Sequence, residues 1–206
     1  MIVKFKDKEY NVVSNWSEVT LEQSKKLEKI KYDKKIEWGE YETTVSIVSI
    51  LSNIPEEELL SLPYTQYKKM EQIVNSINND IKDRELVYKF ELDGIEYGLS
   101  YDMNNYSTAE FFDLFEMTKS VNKAEENIDI IMSILYRPII NKIDDTKLGY
   151  EIEEYDILKC KQRINIFKKA PVHIATSSIV FFSIFATELL DTFQLYSPEK
   201  LQADQN

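Results

Sequence analysis

His173 and Cys160 are the only histidine and the only cysteine in the chain, and so its readiest sources of a general base and a thiol nucleophile. His173 follows Pro171 closely, with Ser177 and Ser178 about one helical turn further on. A Ser–His relay also needs an acid to orient the imidazole, and no acid is adjacent in sequence. A partly buried imidazole at a helix end is therefore expected. Cys160 lies between Lys159 and Lys161. Flanking cations lower a thiol pKa, but an ordinary half-buried thiol is the simpler expectation. One imidazole cannot build a histidine cluster for a catalytic metal, and one thiol gives neither an intrachain disulfide nor a cysteine-based zinc site. The other candidates are carboxylates. Glu56, Glu57 and Glu58 follow Pro55 and suit the first turn of a helix, where acids complement the dipole. Asp144, Asp145, Glu151, Glu153 and Glu154 lack the spacing of an EF-hand loop and read as solvated charge. The four glycines, Gly39, Gly94, Gly98 and Gly149, form no phosphate-cradling loop, and no Gly-x-Ser-x-Gly elbow is present. The expectation is no catalytic residue, no cofactor, no metal and no enzyme.

Composition supports this. The 206 residues, 43% hydrophobic, can bury a core as one domain or two small ones. The net charge of -11 argues against direct binding to nucleic acid, because phosphate contacts need clustered Lys and Arg. The charge is uneven. Residues 1–35 carry nine Lys against six acids, whereas residues 36–60 carry six acids and no base. Residues 88–116 carry seven acids and one Lys. Solvated faces of opposite sign are the first reading; a basic end meeting an acidic surface of a partner or a second copy is the sharper one. The opening Met1-Ile2-Val3-Lys4-Phe5 alternates and shows no signal-peptide core, so synthesis in a reducing cytoplasm is expected.

These residues must be positioned by a mainly helical chain. Val3 and Phe5 alternate with Lys4 and Lys6 before Tyr10 and Val12, which predicts a hairpin turning at Asp7-Lys8. A second hairpin is predicted over 88–99, turning at Asp93-Gly94. The two align without a gap: Val3, Phe5, Glu9, Tyr10 and Val12 match Phe90, Leu92, Glu96, Tyr97 and Leu99. A capping box then opens a helix in each half, Thr20 with Gln23 and Ser107 with Glu110. The helices are expected over 21–31 and 108–120. A further helix follows in each, over 41–53 and 124–136, stopping near Pro55 and Pro138. This reads as an internal duplication. Helices over 56–62, 64–78, 155–169 and 172–193 complete the set, with 142–150 a polar connection. The last helix is apolar nearly all round and is expected to be buried at the centre; it is short of the roughly 20 apolar residues of a membrane span. The fold class is therefore α+β, predominantly helical, with two short hairpins each preceding a helical set. The expected organisation is 1–80, 81–196 and a flexible tail over 197–206. Trp16 and Trp38 lie beside loops; Trp16 is placed to staple hairpin to helix, and Trp38 is a contact anchor if exposed.

Several of these residues together carry a resemblance. They are Tyr10-x-Val12, Trp16-x-x-Val19-Thr20-Leu21-x-Gln23, Asn53-Ile54-Pro55-Glu56-Glu57-Glu58-Leu59, the Asp93-Gly94 hairpin with Tyr97, and Leu135-Tyr136-Arg137-Pro138. Over nearly the whole chain the sequence resembles small virion-associated proteins of tailed bacteriophages of gut Bacteroidota, including the crAss-like phages. The motifs are turn, cap and core residues, so no catalytic residue is carried over. The resemblance implies a cargo protein carried in the capsid or tail and delivered with the genome. Its alternative is a tail-assembly chaperone absent from the mature particle. It also implies portal, tail or capsid components as partners, with self-association a further option, and a location in the virion. Two other classes compete: an enzyme of host takeover, which requires a concave site with convergent carboxylates, and a membrane-active protein using residues 172–193.

Overall fold

The computed structural model describes residues 2–5, 8–32, 40–75, 77, 86–118, 126–143 and 148–195. The chain forms two compact units, Met1–Asp83 with Lys168–His173, and Arg84–Phe167 with Ile174–Asn206.

The first unit begins with a hairpin, β1 (Ile2–Phe5) and β2 (Lys8–Asn11), in which Val3 faces Tyr10. Lys8 already belongs to β2, and Asp7 of the expected turn lies outside the described residues. A 3-10 turn at Trp16–Glu18 leads to α1 (Leu21–Tyr32), followed by α2 (Glu40–Ser52), α3 (Glu56–Leu60) and α4 (Tyr64–Asn75). The capping box closes as read: Gln23 N–H donates to Thr20 Oγ1 at 3.2 Å, and Thr20 N–H donates back to Gln23 Oε1 at 2.9 Å. Asn53 ends α2 with a φ of 54°, a conformation asparagine tolerates better than most residues. Val12, Val19, Val48, Leu59 and Met70 centre the core. Val172 joins it from a segment that the sequence had placed in the second half. That segment supplies backbone acceptors for α1: Leu21 N–H donates to Ala170 O and Glu22 N–H to Lys168 O, both at 2.9 Å. First-turn N–H groups have no partner within their own helix, so these bonds complete α1.

The second unit is built on a four-stranded antiparallel sheet in the order β3 (Lys89–Leu92), β4 (Ile95–Leu99), β5 (Tyr136–Lys142) and β6 (Tyr150–Ile152). The expected hairpin is its β3–β4 half. Asp93 and Gly94 turn it with φ of 51° and 77°, which suits a tight primed turn. The sequence reading missed β5 and β6. The helix expected over 124–136 ends at Leu135, and the connection expected over 142–150 joins the two strands, β5 ending at Lys142 and β6 starting at Tyr150. From Ile128 to Ile140 apolar residues fall on every face, so periodicity cannot separate helix from strand there. What breaks the helix is Pro138, which biases Arg137 towards extended backbone. A 3-10 turn at Met103–Asn105, α5 (Thr108–Thr118), α6 (Ile128–Leu135), α7 (Ile157–Phe167) and α8 (Val172–Leu195) complete the order. Phe90, Tyr97, Tyr136 and Phe167 form an aromatic core, with ring centroids 5.0 Å apart for Tyr97 and Phe167 and 5.1 Å for Phe90 and Tyr136. The central helix expected to be buried all round is buried along one stripe. Ile174, Ser178, Phe181, Phe182 and Phe185 are buried, whereas Ser183, Ile184 and Thr187 are exposed. Among the described residues no helix is long and apolar enough to cross a membrane. The fold is α+β and predominantly helical.

The two units share a scaffold at one constant sequence offset. The displacement from Ile2 to Lys89 also relates the two 3-10 turns and the first residues of α1 and α5. The donors of the backbone bonds repeat with it, while the helix-end acceptors Leu51 and Leu135 lie three residues closer together. Val13 N–H donates to Leu51 O at the end of α2, and Ser100 N–H to Leu135 O at the end of α6. The 3-10 turns are closed by Glu18 N–H to Asn15 O and by Asn105 N–H to Asp102 O.

Candidate functional site

A cleft of about 560 Å³ opens in the second unit. The end of β4 with the following residues, the first turn of α5, Arg137 of β5 and the segment Tyr150–Tyr155 line it. Its position follows from local rules. The capping box at Ser107 starts α5, with Glu110 N–H donating to Ser107 Oγ at 3.1 Å, and so sets Glu110 at the third helical position. Strand pairing sets Arg137 opposite Gly98.

The floor is an ion pair. Arg137 Nη2 lies 3.0 Å from Glu110 Oε1 and donates to Ser100 Oγ at 2.7 Å. Glu110 is 2% exposed and Arg137 6%. Burial pushes the Glu110 carboxyl above its ordinary range, opposed by the Arg137 charge and by hydrogen bonds from Ser100 and Ser107. Arg137 Nε is buried and has no hydrogen-bond partner.

The walls are acidic and aromatic. Glu153 accepts from Lys159 Nζ at 2.6 Å and Arg163 Nη1 at 2.8 Å. Burial raises its carboxyl pKa, but the two cations together outweigh that and hold it below the usual range. Asp102 accepts from Asn104 N–H and Asn105 Nδ2. Glu151 and Glu154 are exposed at the rim. Tyr150 donates its hydroxyl to Tyr88 O at 2.8 Å, and burial pushes that phenol up to about 12. Tyr155 donates to Asp113. Glu151, Glu153 and Glu154, read in the sequence as solvated charge, are thus gathered with Asp102 and Glu110 around one concavity. Four stretches of chain meet there, which no local pattern announces. One signal was present: Arg137 is a lone cation in an apolar run, and a buried arginine needs an anion.

The first unit holds the same scaffold without charge. The position that donates to the helix end is Val13 there and Ser100 here. The third helical residue is Gln23 there and Glu110 here. The second residue beyond the helix-end acceptor is Asn53 there and Arg137 here. Gln23 is buried and spends its amide on Ile50 O at 2.9 Å. The local fold therefore does not require the ion pair, whose burial carries a desolvation cost.

The residues singled out from the sequence do not assemble into a catalytic set. His173 is the second residue of α8; burial lowers its pKa, and its Nδ1 is buried without a partner. Ser177 Oγ accepts from Val87 N–H, and Ser178 Oγ donates to Ala175 O. Cys160 is fully buried rather than half-buried. Burial pushes its thiol up, so the flanking lysines do not activate it. Glu56 and Glu58 accept from Ser46 and Lys8 in the first unit. Trp16 packs against the first core. Trp38, Asp144, Asp145 and the tail over 197–206 lie outside the described residues. Among the described residues no group of three or more His, Cys, Asp or Glu side chains is placed to hold a metal ion.

No family model, no curated protein and no solved structure matches this chain. Chemically, the cleft is suited to recognition. A carboxylate pair in acid–base catalysis needs one protonated acid and one free ionised base. Here Glu110 is tied to Arg137, and Glu153 to Lys159 and Arg163.

Proposed function

We propose that this protein is a non-enzymatic component of a tailed-bacteriophage particle, a cargo protein carried in the capsid or tail and delivered with the genome. The resemblance of its turn, cap and core residues to virion-associated proteins of crAss-like phages motivates the setting. The observation that carries the non-enzymatic part is the commitment of the innermost cleft carboxylates to Arg137, Arg163 and Lys159. Charges spent in this way present a shaped surface to a partner and leave no free base–acid pair to a substrate. Quantitative mass spectrometry of purified particles tests the reading. A stoichiometric amount of the chain in the particle is expected. Its presence in infected-cell lysate alone would replace this reading with the tail-assembly chaperone.

A second reading draws on the same cleft. Glu110, raised by burial and facing a concavity, has the environment of a general acid. An enzyme would lose its turnover in Glu110→Gln while keeping its substrate affinity. The ion pair at 3.0 Å favours the first reading, because Glu110 is already engaged by a neighbouring cation.

A further inference from the structure

We propose that Lys168–His173 is a conformational tie. Order at the end of α7 and in α8 of the second unit holds the first turn of α1 closed in the first unit, and loosening there opens it. Three observations carry this.

The first is where the anchors lie. The segment belongs to the first unit, whereas Phe167 immediately before it and Ile174 immediately after it belong to the second. Phe167 is fully buried, its ring centroid 5.0 Å from that of Tyr97 and 6.1 Å from that of Phe90. Ile174 is buried and lies in α8, the helix that Val172 starts. Both ends of the segment are therefore fixed by residues outside the unit that it completes.

The second is what the segment holds. Leu21 N–H donates to Ala170 O and Glu22 N–H to Lys168 O, both at 2.9 Å, and Val172 N–H donates to Val19 O at 2.8 Å. Thr20 and Pro171 form an antiparallel bridge among these bonds. Ala170 and Val172 are buried, and Val172 belongs to the first core. Leu21 and Glu22 have no acceptor within α1 itself, so their N–H groups open to water whenever the segment leaves.

The third is the shortness of the connections. Lys168 and Lys169 alone separate Phe167 from Ala170, and His173 alone separates Val172 from Ile174. Such connections have almost no slack, since each residue spans at most roughly 3.6 Å. Fixed ends spare the segment much of the backbone entropy that it would otherwise lose on docking against α1. Freeing one end restores that cost, and the docked segment then opens more often. The coupling is reciprocal: whatever orders the end of α7 closes α1, and a closed α1 favours an ordered α7.

The test uses the full chain in two variants, followed by amide hydrogen exchange resolved at single residues by nuclear magnetic resonance. Phe167→Ala removes the anchoring ring. An insertion of Gly-Ser-Gly-Ser between Phe167 and Lys168 keeps every core side chain and adds slack alone, so it decides the question even where Phe167→Ala fails to fold. The amides of Leu21, Glu22 and Val172 should exchange roughly tenfold faster in each variant, while that of Met70 in the interior of α4 keeps its rate. Unchanged rates at Leu21 and Glu22 would show that the first unit closes without help from the second, and would overturn the proposal. An equal rise at Met70 in the insertion variant would make the effect general unfolding and overturn it as well.

Discussion

The ring of Tyr150 lies against the α-carbon of Gly98. A β-carbon placed on Gly98 would meet Tyr150 Cε2 at 2.5 Å and Ile152 Cγ2 at 2.8 Å. Glycine is needed at this point of β4 because the β6 side chains close over it. Gly98→Ala is expected to destabilise the second unit by about 1–3 kcal/mol and to pull the Tyr150 hydroxyl off Tyr88 O. Chemical denaturation measures the loss. Tyr150→Ala combined with Gly98→Ala should recover part of it, and strictly additive losses would show that the ring is not what Gly98 makes room for.

The Glu110–Arg137 pair can be exchanged for uncharged side chains. Glu110→Gln alone leaves Arg137 without its anion and should lower stability, by less than the roughly 3–5 kcal/mol of a broken buried pair because burial already disfavours the Glu110 anion. Ser100→Val with Glu110→Gln and Arg137→Leu replaces the buried pair with uncharged side chains. It should return stability to the starting level or raise it by about 1–4 kcal/mol, as replaced buried pairs do. Urea denaturation of both variants decides the matter. A triple variant as unstable as the single one would show that the fold requires the ion pair.

Glu153 gives the second unit an acid limb. Its folded pKa is held below the ordinary 4.5, since Lys159 and Arg163 outweigh the effect of burial. The stability it contributes is present above 4.5 and is lost as pH falls through the lower folded value. Glu110 acts with the opposite sign. Raised by burial, it favours the fold below 4.5 and loses that contribution as pH rises. Stability measured from pH 7 down to 3 should fall less steeply in Glu153→Gln than in the unchanged chain (both limits bracket the carboxylate range). Parallel curves would remove the assignment.

At high pH the buried phenols set the limit. Burial raises Tyr106, Tyr136 and Tyr155, and pushes Tyr150 to about 12. A raised phenol pKa stabilises the fold fully below the ordinary value of 10 and ceases to do so as pH rises through the folded value. Ultraviolet titration should therefore show an early group of exposed tyrosines. A late group should ionise only as the far-ultraviolet circular dichroism collapses. A single smooth phase near 10 would contradict the burial of these hydroxyls.

Cys160 should be inert while the chain is folded. It is 1% exposed and its thiol is shifted up by burial, so little thiolate is present or accessible. Ellman's reagent should react slowly in buffer and at once in denaturant. Stoichiometric reaction in buffer would place the thiol at the surface.

The parts of the fold that could be read ahead are those fixed by neighbours in sequence. Asp93-Gly94 names its own turn, and Thr20 with Gln23 names its own helix start. The constant offset between the halves follows from such markers recurring together. The parts that could not be read depend on distant pairing. Tyr136–Lys142 is extended because β4 offers it a partner and Pro138 breaks the helix before it. The cleft exists only once β5 and β6 have brought Arg137 and Glu151 to the residues that follow β4. Val172 shows the same limit from another side. Its apolar character announced burial, but not that it joins the core of the first unit.

The return of Lys168–His173 to the first unit bears on how the molecule is made. Two opening N–H groups of α1, those of Leu21 and Glu22, wait for the carbonyls of Ala170 and Lys168, which come much later in the chain. On the ribosome, the leading segment emerges early and stays unfinished until the later residues leave the exit tunnel. A fragment that ends before Lys168 would lack this closing strap, so the first unit is completed only after most of the second has been synthesised.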